Sequence, residues 1–285
     1  MISNSSLEVI NRIKQDFEDT HIGRLKRYLT QPSISALNLG VQEMADLLSS
    51  DIEGLGGVSR VLQTSELPVV FAKLDEGADK TLLLHGLYDV TPADEESWII
   101  PPFEPEIRNM EGIGRSIIGR GAEDMKGGLV AMAHAASAVN KMGLPLAGNL
   151  TLTAVVGHET PVGKKEGANR VIELVRAGEL RAGAVIIVEG PKDIWAASSG
   201  FVNFTLTVTS PRGRIHNLYV PYDENPARWL GEALRIFETW ESEFKSLPPH
   251  SLTGREQLNV GILEAGDYMN RLPTPASVVG THRWP

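Results

Sequence analysis

"TLLLHGLYDV", residues 81–90, is the stretch from which this chain is best read. A strand alternates its side chains between two faces, so His85, Leu87 and Asp89 share one side. The nearly continuous apolar run suits a strand covered above and below, and Asp89 falls just beyond its end. Open α/β sheets place ligands past the carboxyl ends of their strands, so the stretch delivers a carboxylate to a site. Leu87, an aliphatic residue between two that carry chemistry, is out of place there.

Working outward, apolar runs at 58–63, 68–74 and 80–87 read as strands, as do "LTLTAVVG" (150–157) and "GAVIIVEG" (183–190). Helical spacing joins Leu7, Ile10, Ile13, Phe17, Ile22 and Leu25, with Ser5 or Ser6 as the cap. It recurs in Val41, Met44, Leu47, Leu48 and Ile52, stopped by Gly54, Gly56 and Gly57, in the Ala-rich run 125–142, and in 167–178. This alternation predicts an α/β domain over 1–198, a largely parallel or mixed sheet covered by helices on both faces. After about residue 198 the texture changes. "FVNFTLTVTS" (201–210) alternates apolar and polar residues, "ARWLGEALRIFETWESEF" (227–244) is an amphipathic helix, and 258–265 and 276–284 read as strands. A smaller α+β domain over 199–285 is expected.

At 285 residues the chain exceeds what one core usually organises, and its 42% hydrophobic and 22% charged residues are ordinary for a globular protein. A net charge of −9 argues against nucleic acid or an anionic membrane as partner. There is no cysteine, so any metal must be held by Asp, Glu and His. The N-terminus shows no signal-peptide pattern and no apolar run reaches a membrane span, so a soluble, cytoplasmic protein is expected.

Asp89, Glu159 and Glu189 lie at or near strand ends, and Asp124 sits in "GRGAEDMKGG" (119–128), a glycine-rich loop opening a helix. Each has a bland reading: Asp124 as a helix cap, the glutamates as solvated strand-end charges, His85 and His134 as core histidines. The loop lacks the ending of a phosphate-cradling P-loop, and its glycine spacing does not fit a dinucleotide fingerprint. No Gly-x-Ser-x-Gly elbow is present, which speaks against a serine hydrolase.

The ordered set is more telling. "HGLYDVTPADEESWIIPPFEP" (85–105), "GRGAEDMKGG", "VVGHETPVG" (155–163), "VEGP" (188–191), "GRIHN" (213–217) and "EAGDYMNRLP" (264–273) follow one another in this order. Together they resemble the zinc-dependent amidohydrolase and exopeptidase family of acetylornithine deacetylase, succinyl-diaminopimelate desuccinylase, aminoacylase, carboxypeptidase G and carnosinase. The resemblance runs from about residue 30 to the end. It implies a layered metal-binding domain and a ferredoxin-like lid that carries a homodimer contact. It implies one or two zinc ions, replaceable by cobalt or manganese, bridged by Asp124 and held by Glu159 and Glu189. Asp89 matches the aspartate that orients a histidine ligand, His216 an oxyanion-stabilising histidine, and Asn270 with Gly266 a substrate-contacting turn. The substrates implied are small N-acyl amino acids or peptides, cleaved at the amide.

The sequence departs from that pattern at three points. The histidine ligand of the family's His-x-Asp falls on position 87, which is leucine; His85 lies about 6–7 Å back along the strand. The water-activating glutamate falls on His158, a possible general base near neutral pH or a replacement ligand. The family continues beyond Arg283 and Pro285 to a last histidine ligand and further catalytic-domain elements, so the lid and the fold are expected to be incomplete here, with exposed apolar faces and a free strand edge. Three readings stand at this point: a metal-dependent amide hydrolase impaired by these changes, a single-metal site using His158, and a non-catalytic relative that binds a ligand or partner in the former cleft.

Overall fold

A computed structural model of the chain describes residues 4–64, 67–75, 77–143, 148–156, 166–189 and 197–285. The chain divides into two compact units, Met1–Lys192 and Asp193–Pro285.

The first unit opens with α1 (Asn4–Gln15), a π-helical turn (Phe17–Ile22) and α2 (Gly23–Thr30), followed by α3 (Val41–Gly54). The periodicity of Leu7 to Leu25 predicts one helix; the structure breaks it. Asp16, Asp19, Thr20 and Gly23 are weak helix formers, and the wider turn is placed where they cluster. Then come β1 (Val58–Leu62), β2 (Val69–Asp75) and β3 (Thr81–Leu87). The hairpin β4 (Glu106–Met110) and β5 (Gly114–Ile118) precedes α4 (Lys126–Lys141), β6 (Asn149–Val155), α5 (Glu166–Arg176) and β7 (Ala184–Ile187).

The sheet has the order β1-β2-β6-β3-β7. β1 and β2 pair antiparallel, as do β2 and β6, whereas β3 runs parallel to both β6 and β7. It is therefore a mixed sheet, and strand alternation sorts its faces. Val70, Ala72, Leu84, Leu152 and Ala154 face the main core, where Met44, Leu48 and Ile52 of α3 and Leu129, Met132 and Ala136 of α4 meet them. Phe71 and Leu83 face the other way, against Leu174 and Leu180. Cover on both faces holds for the central strands but not for β7. Val185, Ile186 and Ile187 are about half exposed, because β7 is an edge strand whose described neighbour is β3. The β4–β5 hairpin went unread in the sequence, since its strands are short and polar; its signal was the turn around Gly112 and Gly114, both at positive φ.

The second unit contains β8 (Gly200–Val208), α6 (Pro226–Ser246), β9 (Gln257–Ala265) and β10 (Ala276–Trp284). The three strands form an antiparallel sheet of order β8-β10-β9. Leu230, Leu234 and Phe237 of α6 pack on Phe204, Val208, Val260, Ala276 and Val278. Asn225 caps the helix by accepting from the Ala227 N–H at 2.9 Å, with Pro226 in the first turn. Among the described residues no helix is long and apolar enough to cross a membrane.

Two glycine substitutions should move stability in opposite directions. A Cβ on Gly86 would lie 2.4 Å from Leu129 Cδ2 and 3.1 Å from Met125 Cε, both buried. Gly86→Ala should therefore destabilise by about 1–3 kcal/mol through overpacking. Gly231, inside α6, has nothing within 4 Å of such a Cβ, so Gly231→Ala should stabilise by up to about 1 kcal/mol. Urea midpoints of the two variants check both signs.

Candidate active site

Because β6, β3 and β7 run the same way, their carboxyl ends open on one edge of the sheet. Asp89 follows the end of β3 by two residues, and Glu189 follows β7 by two. Asp124 precedes the first residue of α4 by two. The glycine pair after it explains how α4 reaches this edge. A Cβ on Gly128 would lie 2.6 Å from the Val188 carbonyl oxygen, and one on Gly127 would lie 2.2 Å from that of Ala122. Only residues without a side chain let the helix start lie against both its own loop and the segment carrying Glu189. Asp124 is exposed, Glu189 is half-buried, and Asp89 is buried.

A buried polar clamp holds Asp89. Ser35 donates its hydroxyl to Asp89 Oδ2 at 2.6 Å, Ser33 donates to the Tyr88 carbonyl at 2.6 Å, and the Val90 N–H returns a bond to the Ser33 carbonyl at 2.9 Å. The same loop is tied to α4 by Lys126, whose Nζ donates to the Tyr28 carbonyl at 2.9 Å and the Gln31 carbonyl at 2.6 Å. Lys126 is fully buried, and that burial draws its pKa from 10.5 down to about 7, against the opposing pull of the Asp89 charge. Ser33, Ser35 and Lys126 were not singled out from the sequence. The signal for Lys126 was its place inside "GRGAEDMKGG"; the serines carried none.

The anomaly at position 87 is now concrete. His85 pairs across the ladder with Thr153, and its Nδ1 lies 2.7 Å from Thr153 Oγ1. Burial pulls its pKa down, favouring a neutral ring. It is thus a core histidine bonded within the sheet. Leu87 pairs with Val155 and offers no lone pair at the strand end. His158 and Glu159 lie outside the described residues. Among the described residues no group of three His, Cys, Asp or Glu side chains forms a metal cluster. Asp124 and Glu189 carry hard oxygen donors of the kind a divalent cation takes, and Leu87 carries no donor. His134 is also no ligand; Arg24 Nη1 donates to its Nε2 at 2.7 Å.

The second unit brings His216 and Asn270 together. The Asn217 N–H bonds the Asn270 carbonyl at 3.0 Å and the Leu272 N–H bonds the Ile215 carbonyl at 2.9 Å, so a short antiparallel bridge joins the two segments. The Leu218 N–H donates to His216 Nδ1 at 3.2 Å. Asn270 Nδ2 lies 3.1 Å from His216 Nε2, so the carboxamide and the ring are held together. Gly266 sits at φ 76°, where a Cβ would press on Pro273 at 3.1 Å.

The model of peptidase family M20/M25/M40 matches residues 83–250, more than half of the chain. This chain belongs to that family. A succinyl-diaminopimelate desuccinylase of Rhodospirillum centenum (strain ATCC 51521 / SW) is 30% identical over 218 residues, covering 72% of this chain and 53% of the relative. The chain spans about half the length of the curated relatives it matches. Among solved structures, the M20 family metallo-carboxypeptidase Sso-CP2 from Sulfolobus solfataricus superposes with a TM-score of 0.74 at 23% identity, over 93% of this chain and 71% of that one. The di-peptidase Dug1p from Saccharomyces cerevisiae gives 0.74 at 17% identity, over 98% and 72%. At these identities the structural likeness establishes the M20 fold.

The clamp has a pH signature. Between about 7 and 10.5 the unfolded lysine holds a proton that folded Lys126 has released, so stability rises with pH across that window. From pH 7 to pH 9 the parent should gain roughly 2 kcal/mol relative to Lys126→Met. Urea unfolding of both proteins at the two pH values tests it; equal slopes would show Lys126 to be ordinary.

Proposed function

We propose that this M20 chain is a metal-dependent hydrolase of the amide bond in small N-acyl amino acids or peptides, with its rate held down by Leu87 and His158. The observation that carries the reading is the convergence of the β3, β6 and β7 ends on one edge, with α4 brought against it by Gly127 and Gly128. In this reading Asp124, Glu159 and Glu189 hold zinc, with cobalt or manganese as substitutes. A bound cation supplies Lewis-acid polarisation of the scissile carbonyl. Asp89 is fixed by Ser35, His158 takes and returns a proton near neutral pH, and His216 supports the developing oxyanion. Asn270 and Gly266 shape the turn that meets substrate. By the same resemblance the second unit carries a homodimer contact.

Leu87 favours a second reading, a relative that binds such a ligand without cleaving it. The two separate experimentally. Purified protein should take up zinc at neutral pH and lose that uptake in Asp124→Asn. The double variant Leu87→His/His158→Glu should hydrolyse N-acetyl or N-succinyl amino acids at least about 100-fold faster than the parent. A parent that takes up no zinc, cobalt or manganese sinks the hydrolase reading. A parent as fast as the double variant sinks the binding-only one.

A further inference from the structure

Helix α1 lies over α4 without burying any residue of its own, although Leu7 and Ile10 on it and Phe17 just after it carry large apolar side chains. Beneath that cover is a cavity of about 480 Å³. Ala131 and Ala135, exposed on α4, form its small-residue floor, and Ile13, Phe17, Ile107 and Ile117 form its walls. Its volume is that of a small-molecule pocket and holds roughly a dozen heavy atoms. None of the carboxylates assigned above to the active site lines it.

The polar groups at its border decide what the occupant carries, and where. At one end His134 is buried and accepts from Arg24, so its proton sits on Nδ1 and is directed to His21 Nδ1. Arg24 shares the Asp51 carboxylate with Arg27, its Nε lying 3.0 Å from Oδ2 and Arg27 Nη1 3.2 Å from Oδ1. Burial lowers the His21 pKa, so this end presents a neutral ring, whose buried Nε2 has no hydrogen-bond partner among the described residues. Arg115 is the only cationic side chain among the lining residues. Its two terminal nitrogens bond Glu18 Oε1 and Oε2 at 2.6 and 2.7 Å, with both side chains more than half exposed. The pair is exposed to solvent, and another carboxylate fits the same guanidinium fork in place of that of Glu18.

We propose that this pocket binds a small apolar monocarboxylate of the medium-chain fatty-acid class, its chain over Ala131 and Ala135 and its carboxylate on Arg115 in place of Glu18. The full chain should bind decanoate below its micelle concentration, read by calorimetric titration, and bind decanol at least roughly tenfold more weakly. Ala131→Trp should abolish decanoate binding while the far-ultraviolet circular dichroism is unchanged. Arg115→Gln should weaken decanoate at least roughly tenfold and leave decanol unaffected. Glu18→Gln, which removes the competing carboxylate, should tighten decanoate severalfold, a gain that misfolding cannot produce. Absence of decanoate binding overturns the proposal. So does equal affinity for decanol, or a concentration-dependent mass increase reversed by Ala131→Trp, which would assign the pocket to a second copy of the chain.

Discussion

Helix α4 approaches the sheet more closely than side chains would ordinarily permit, and the candidate site depends on that approach. At Gly86 the strand has no Cβ where Leu129 and Met125 press in; at Gly128 the helix has none where the Val188 carbonyl lies. Each missing methyl group removes a distance that packing would otherwise impose. The consequence is chemical as well as structural. The loop carrying Asp124 is seated at the same sheet edge as Asp89 and Glu189, although 35 residues of sequence separate Asp89 from Asp124 and 65 separate Asp124 from Glu189.

Close packing brings a cost that the polar clamp offsets. An aspartate and a lysine buried at the edge of an apolar core would be strongly destabilising without partners. Ser35 donates to one oxygen of Asp89, and two backbone carbonyls at the end of α2 accept from Lys126. The loop at 31–35 thereby ties β3 to α4 through directional bonds, where apolar contact alone would leave the two free to slide. Family membership and this clamp together mark the edge as the scaffold of the candidate site.

In the proposed reading, Leu87 limits what the scaffold does. A two-ion centre needs donors on both sides of its bridging carboxylate, and an alkyl side chain at the strand end withdraws one. His85 does not compensate, because it belongs to the sheet's interior and is engaged by Thr153. The amide-hydrolase ancestry and the altered centre are therefore separate properties of the same edge, one written in topology and the other in a single side chain.

Much of this was legible in the residues themselves. Apolar runs and helical periodicity marked eight of the strands and the helices α3 to α6 because those patterns follow from local geometry. The motif order disclosed the family because each motif answers to a local chemical need. The break between α1 and α2, the short polar hairpin and the exposed flank of β7 were decided by tertiary packing. So were the bonds that hold Asp89 and Lys126, the pairing of His216 with Asn270, and the cavity under α1. The physical reason is common to all of them: periodicity reports which face of an element is apolar, whereas a hydrogen-bond partner or an unfilled space depends on residues distant in sequence, which only the folded chain brings together.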